Sequence, residues 1–332
     1  MHSAFVLAAG FGTRLRPLTE LRPKPLVPVC GVPLIDFSLA LCAKHGLTQV
    51  LVNAHHLADQ VQALAGEREG VRVTVVTELP DILGTGGGLK AVRDQLDERF
   101  VVLNGDVLHE VDLAALRAAV PVGGGALALR HDPEQAPVYG IVAMDATGTV
   151  VELRHYASGP AEGPVDRTTH FTGIHAVHRD TLDRVPEGFA CIVRTAYTQL
   201  VPERGVRGVR YVGPWLDTGD PRTYGQTNLA LLRGEVRPTL DPFLRAGYAR
   251  RADGEVIGDA ELVAYARLSG PVWVGPGATV GAALLEESVV GPGATVSDGT
   301  TLRRCIVWDD TTVPPGDHTD RVFAEGVTCA LG

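Results

Sequence analysis

The sequence predicts a Rossmann-like α/β fold, built on a mixed, mostly parallel sheet, with a small left-handed β-helix at the C-terminus. Short apolar runs at residues 3–9, 49–53, 71–77 and 100–104 alternate with helical patterns at residues 34–44, 57–64 and 88–96. That alternation predicts a parallel sheet, because a parallel neighbour is reached only through a crossover long enough to hold a helix. At the other end, VGPGATV occurs at residues 274–280 and again at 290–296, with a degenerate copy, VWDDTTV, from Val307. Aliphatic residues six apart (Val274 and Val280; Leu284, Val290, Val296 and Leu302) are separated by Gly, Pro, Ala and Thr. This is the pattern of stacked hexapeptide coils, and the stretch has room for roughly three.

Residues 3–9 are apolar up to Gly10, as a buried strand requires. Residues 34–44 carry one apolar face and stop at His45-Gly46, a helix followed by its terminator. The middle of the chain is richer in strands, at 126–129, 140–144, 150–154, 172–177 and 209–212. Helices are expected at 195–200 and from Asp220 to about Leu232. We therefore expect an α/β domain over residues 1–234, a linker over 235–265 and the coils over 266–332.

Composition excludes several classes of function. The 332 residues carry 39 Asp and Glu against 30 Lys and Arg, a net charge of −9. Broad binding to nucleic acid or to an anionic membrane wants spread positive charge, so neither partner is expected. No apolar run approaches the roughly 20 residues that span a bilayer. Five cysteines, odd in number and without a CxxC pair, point to a reduced cytoplasmic protein with neither a disulfide framework nor a zinc site.

Against this acidic background Arg14, Arg16, Arg22 and Lys24 crowd into residues 7–29 together with four prolines. A dinucleotide fingerprint needs a glycine where Leu15 stands, and a Walker loop needs Gly-Lys where Gly12-Thr13 stands. What remains is a glycine loop whose backbone N–H groups can approach phosphate, with arginines behind it.

The longer pattern is specific. Gly10-x-Gly12-x-Arg14-x-x-Pro17-x-Thr19-x-x-x-Pro23-Lys24-x-x-x-Pro28-Val29 resembles the signature of the sugar-1-phosphate nucleotidyltransferases. The resemblance continues through Leu83-Gly84-Thr85-Gly86-Gly87, Asn104-Gly105-Asp106, Trp215-x-Asp217-Thr218-Gly219 and the C-terminal repeats. Within the family the runs LVNAHHLADQ and ELPDILGTGGGLK look most like those of mannose-1-phosphate guanylyltransferases.

The resemblance implies transfer of a nucleoside monophosphate from a triphosphate to a sugar-1-phosphate, with GTP and mannose-1-phosphate as the expected pair. Heptose, glucose or N-acetylmuramate phosphates with GTP, UTP or dTTP remain open. It implies Arg14 and Lys24 as catalytic cations, and Ala9, Gly10, Gly12, Thr13, Glu78, Gly84, Thr85, Gly86 and Gly87 on the nucleotide. Asp106 and Asp217 would hold Mg²⁺, which takes few carboxylates and leaves room for phosphate oxygens.

Tyr139, Gly140, Arg154, Thr172 and Gly173 are expected on the sugar. The resemblance implies that many relatives carry a Glu-Lys-Pro, its lysine on the sugar phosphate, where this chain reads Arg154-His155-Tyr156-Ala157. Arg154, His155 or Arg194 is left to supply that charge.

The remaining candidates read as scaffold: His55 and His56 as loop residues, Trp273 and Trp308 as coil packing. His170, His175 and His178 surround the sugar strand without the look of a zinc cluster. A catalytically silent paralogue would lose site residues, yet Arg14, Lys24, Asp106 and Asp217 are all present. An acyltransferase in the coils would want a histidine there, and beyond Gly234 the chain has His318 alone. The coils are expected to serve self-association, giving a homo-oligomer. A chain ending near Gly234 is then expected to keep measurable activity, with lower stability, and to sediment at a smaller mass.

Overall fold

The computed structural model describes residues 2–248 and 265–332. They fall into two compact units. The first comprises Met1–Gly10, Ser38–Gly105 and His109–Trp215; the second comprises Phe11–Phe37, Asp106–Leu108 and Leu216–Gly332.

The first unit is built on an eight-stranded sheet. Its strands in chain order are β1 (His2–Leu7), β2 (Gln49–Ala54), β3 (Gly66–Arg68), β4 (Val71–Thr77), β5 (Leu96–Asn104), β6 (Gly125–His131), β7 (Thr169–His178) and β8 (Val206–Tyr211). Across the sheet they run β8-β6-β7-β5-β1-β2-β4-β3. β1 is parallel to β5 and β2, β2 to β4, and β6 to β8, while β7 runs antiparallel to β5 and β6. The expected mixed, mostly parallel sheet is therefore present. β1 is buried because it lies between two parallel neighbours, which explains its unbroken apolar run.

The chain leaves β1 on one side towards β2 and returns on the other side as β5. That makes the β1/β5 pair a topological switch point, where ligands of open α/β sheets bind beyond the strand carboxyl ends. Gly105 donates its N–H to Leu7 O at 3.0 Å, joining those two ends.

One helix differs from its sequence reading. The expected helix at 88–96 is instead Gly84–Ala91, with a 3₁₀ turn at Arg93–Gln95 and β5 beginning at Leu96. The glycines of the 84–88 run therefore lie inside the first turns of a helix, a placement that glycine propensity argues against. Packing overrides propensity here. A Cβ on Gly86 would fall 2.8 Å from Ile192 N, and one on Gly87 2.0 Å from Gly188 O, so only glycine admits that segment.

The second unit contains the cationic loop, the helix Pro221–Arg233 and the coils. Parallel pairing repeats along three faces of the coils: Thr279 with Thr295 and then Thr312, Trp273 with Val289 and then Ile306, Leu284 with Thr301. Residues 16 or 17 apart are stacked, so the third copy starting at Val307 is a true coil. Because these coils are shorter than three full hexapeptides, the six-residue spacing slips at a corner. Leu285 points inward, fully buried, where Leu284 is expected, and Leu284 is half-buried. The corner after it is Glu287, at φ +44°.

The coil interior is filled by Val274, Val280, Leu285, Val290, Val296, Leu302, Val307 and Val313. Trp273 and Trp308 lie outside that interior. They belong to a second cluster with Leu15, Leu18, Val27, Val29, Leu34, Tyr224 and Phe243, all in the same unit. The expected linker, 235–265, lies largely outside the described residues. Its described part includes the short helix Pro242–Arg245, capped by Asp241, with Phe243 buried.

Candidate active site

In the second unit the cationic loop is three short turns rather than an open strap: Thr13–Leu15, Leu18–Leu21 and Lys24–Leu26. Leu15 and Leu18 are fully buried and pin it to the core, leaving Arg14 exposed. Gly12 has φ +59°, and a Cβ there would fall 2.8 Å from Thr19 Cγ2. Thr19 Oγ1 donates to Gly12 O at 2.9 Å, so the two fixed residues of the pattern define one turn.

Lys24 is buried, and its Nζ donates to Asp106 Oδ2 at 2.5 Å. Thr218 donates to Asp106 O from its N–H at 3.3 Å and from its hydroxyl at 2.8 Å, which ties the Asp217 segment to the Asp106 turn. A Cβ on Gly219 would meet Arg14 Nη2 at 2.9 Å and Asp217 Oδ2 at 3.0 Å, so guanidinium and carboxylate converge over that glycine. Arg14, Lys24 and the two acidic motifs, about a hundred residues apart in sequence, are thus neighbours within one unit.

Burial holds the Asp217 carboxyl above the usual carboxylate range; Lys24 and Arg14 pull it down, Asp106 and Asp220 push it up. A half-buried Asp217 carboxyl whose ionisation is opposed by burial and by a neighbouring carboxylate fits a divalent cation, which would relieve both. Asp106 and Asp217 are the side chains that would hold it.

The first unit contains the other expected residues. Ala9 is buried and Gly10 exposed after β1. Glu78 is buried, and both its oxygens are engaged: Asn53 Nδ2 donates to one and the Leu83 N–H to the other, each at 2.7 Å. Asn53 Oδ1 in turn accepts the Ala8 N–H at 2.7 Å. Glu78 is thus the end of a relay that fixes the segment following β1 and the entry to helix Gly84–Ala91. Sequence reasoning missed Asn53, whose only signal was a polar residue inside an apolar strand.

The glycines of that helix are also needed within the protein itself. The close approach allowed by Gly86 and Gly87 is to the backbone at 188–192, and both N–H groups donate to Ala190 O. Thr85 Oγ1 accepts the Ile192 N–H at 3.2 Å. Gly84 lies beside the exposed ring of Phe189.

On β7, where the sugar residues are expected, Gly173 has φ +87°, and a Cβ would sit 2.3 Å from Asn104 Nδ2. The glycine makes room for Asn104 at the end of β5. Thr172 is buried and its hydroxyl donates to Ala128 O at 2.8 Å, so its side chain serves the sheet. The Trp215 indole N–H donates to Thr172 O at 2.9 Å. Tyr139 is stacked on His170 with centroids 4.9 Å apart and meets Trp215 edge-on at 5.0 Å.

The Arg154 side chain lies across Gly140, where a Cβ would fall 2.9 Å from its Cγ. Arg194 is stacked over Tyr156, its guanidinium carbon 5.3 Å from the ring centre. His170 and His175 are buried, and burial lowers both pKa values, His175 to about 3; the Tyr197 hydroxyl bonds His175 Nδ1.

Comparison with known proteins identifies the family. Residues 3–156 match the family described as Nucleotidyl transferase. The mannose-1-phosphate guanylyltransferase of Mycobacterium tuberculosis is 31% identical, covering 96% of this chain and 83% of its own. The UTP--glucose-1-phosphate uridylyltransferase of Synechocystis is 27% identical over 94% of this chain and 84% of its own. A probable mannose-1-phosphate guanylyltransferase of Oryza sativa is 28% identical over 92% of this chain and 80% of its own. The chain belongs to the sugar-1-phosphate nucleotidyltransferase family. Enzymes of this family generally use a divalent metal ion. Among the described residues no helix is long and apolar enough to cross a membrane.

Proposed function

We propose that this chain transfers a nucleoside monophosphate to a sugar-1-phosphate, with GTP and mannose-1-phosphate as its pair and Mg²⁺ as its metal. The observation that carries the reading is the convergence of Arg14, Lys24, Asp106 and Asp217 within one unit. A sugar-phosphate oxygen forms a bond to the α-phosphorus, the α–β bridging bond breaks, and pyrophosphate leaves with that electron pair. Two anions must be brought together, so positioning and charge neutralisation dominate the barrier. Bound at Asp106 and Asp217, Mg²⁺ would supply Lewis-acid charge to the phosphates.

Lys24 enters the reaction as a point charge whose Nζ is already held in place, flanked by Pro23 and Pro25. Arg14, exposed and forked, suits the oxygens of the departing pyrophosphate. The N–H groups around Ala9, Gly10, Gly12 and Thr13 are assigned to the triphosphate, and Gly84 and Thr85 to the nucleoside. Glu78, Gly86 and Gly87 support that segment from behind. Tyr139, Gly140 and Gly173 are assigned to the sugar, with Thr172 behind them, and Arg154 to its phosphate. What supports the assignment of Arg154 is its position over Gly140, the residue after Tyr139.

The same reading includes a cytoplasmic enzyme that binds neither nucleic acid nor membrane and self-associates through its coils. The coils stack parallel strands of aliphatic and small residues, Arg267–Ser269 on Leu284–Glu286 among them, the kind of surface that a second copy could extend. Pyrophosphate release measured for four triphosphates against a panel of sugar-1-phosphates tests the reaction. Highest kcat/KM for GTP with mannose-1-phosphate is expected; release with no pair would reject it. Sedimentation velocity tests the oligomer, with a monomer at micromolar concentration as the contrary result.

A further inference from the structure

Arg22 stands two residues before Lys24 in the cationic loop, and the reaction proposed above gives it no task. Its guanidinium is nevertheless fully engaged by the coils. Nη1 and Nη2 donate to the two oxygens of Asp309 at 2.8 and 2.9 Å. Nε and Nη2 donate to Glu325 Oε1 at 3.1 and 2.7 Å. The same group lies over the Trp308 ring, 5.0 Å from its centre. A single exposed ion pair is worth little, but a bidentate fork shared by two carboxylates and backed by an indole is a network with fixed geometry.

A second anchor lies just beyond Lys24. Trp308 is buried and donates its indole N–H to the Tyr224 hydroxyl at 3.0 Å, which donates to Pro28 O at 2.5 Å. Asn228 Oδ1 accepts the Cys30 N–H at 2.8 Å, and the Trp273 ring covers Gly31, 2.4 Å from where a Cβ would lie. The five residues from Pro23 to Val27 are therefore suspended between two points fixed by the coils and helix Pro221–Arg233. Pro23 and Pro25 remove much of the torsional freedom between those points.

We propose that Arg22 is a positioning residue for Lys24, and that Asp309 and Glu325 of the coils set the geometry of the reacting cation through it. This rests on the reading of Lys24 given above, and it gives the coils a part in the reaction besides self-association. The coils act as a brace on the phosphate loop. Lys24 reaches Asp106 because the loop is held at both ends, and small displacements of a reacting group carry large rate costs.

The test compares wild type, Arg22→Ala, Arg22→Lys and the coil double variant Asp309→Asn/Glu325→Gln. In the full-length protein, well below its unfolding temperature, Arg22→Ala and the coil variant should each lower kcat about tenfold, with both KM values within about threefold. Combining them should cost no more than either alone, and Arg22→Lys should recover part of the loss.

A second readout does not depend on turnover. The chain has three lysines, Lys24, Lys44 and Lys90. Peptide-resolved amine labelling should modify Lys24 several-fold faster in Arg22→Ala and in the coil variant, with Lys44 and Lys90 unchanged. Unchanged Lys24 labelling together with unchanged kcat in the coil variant overturns the proposal, even if Arg22→Ala fails to fold. An inactive wild type with faster Lys24 labelling in the variants would remove the reaction assigned to the site while leaving the brace in place.

Discussion

The cationic loop of the second unit and the strands of the first proposed to line the sugar treat charge differently. In the loop, Arg14, Lys24, Asp106 and Asp217 meet each other, and each acidic group answers a cation. On the sugar side the centre is aromatic: Tyr139, His170 and Trp215 pack together, with Arg154 laid along their glycine neighbour. A reacting phosphorus needs fixed charge, whereas a sugar ring needs a shaped apolar wall with a few polar groups. On the proposed assignment the two regions differ as their substrates do.

The largest effect should come from the carboxylates. Asp106→Asn and Asp217→Asn are expected to lower kcat/KM about a thousandfold while the protein stays folded, since each removes charge from the cation site. Steady-state rates over a Mg²⁺ titration check this, and a wild-type rate in either at limiting Mg²⁺ would break the contrast. Lys24→Ala should follow, with kcat reduced about a hundredfold and the triphosphate KM changed much less. An effect confined to KM would mean that Lys24 serves only the ground state.

Arg154→Ala sharpens the other half. It should raise the sugar-phosphate KM about tenfold, as expected for one lost charge-assisted contact, and leave the triphosphate KM alone. Equal changes in both would move the sugar-phosphate cation to Arg194 or His155. The smallest effect on activity belongs to Asp145, a buried carboxylate remote from both roles. Burial would raise its pKa, but hydrogen bonds from Thr147, Glu162 and Thr149 outweigh that and hold it low. A depressed folded pKa stabilises the protein above the unfolded value and is lost as pH falls through the folded one. Asp145→Asn should therefore cost about 2 kcal/mol of unfolding free energy near pH 7. The gap to wild type should narrow progressively below about pH 4, where the unfolded carboxyl takes up its proton. Urea unfolding of both proteins across that range reads it.

Much of the loop was legible because each fixed residue has a local reason: Gly12 and Thr19 make one turn, and Pro23 and Pro25 flank Lys24. The sheet was legible for the same reason, through runs such as β1 that are apolar throughout. What escaped were contacts between distant segments. Gly86 and Gly87 look like a ligand loop, and their need for glycine comes from residues 188–192. Trp273 and Trp308 look like coil filling, and they turn outward to cover the loop and helix Pro221–Arg233. Arg22 reads as one more phosphate cation until Asp309 and Glu325, nearly three hundred residues later, are seen to hold it. Leu284 was misplaced by one residue because a coil corner takes up the slip.

The central claim is that the charged loop joins two phosphates, and following phosphorus directly tests it most simply. With full-length protein, Mg²⁺, GTP and mannose-1-phosphate, ³¹P NMR should show one diphosphate-linked sugar nucleotide and one pyrophosphate formed for each triphosphate consumed. Omitting the sugar phosphate should stop both signals. Inorganic phosphate as the main product, or triphosphate loss that continues without any sugar-1-phosphate, would contradict the account.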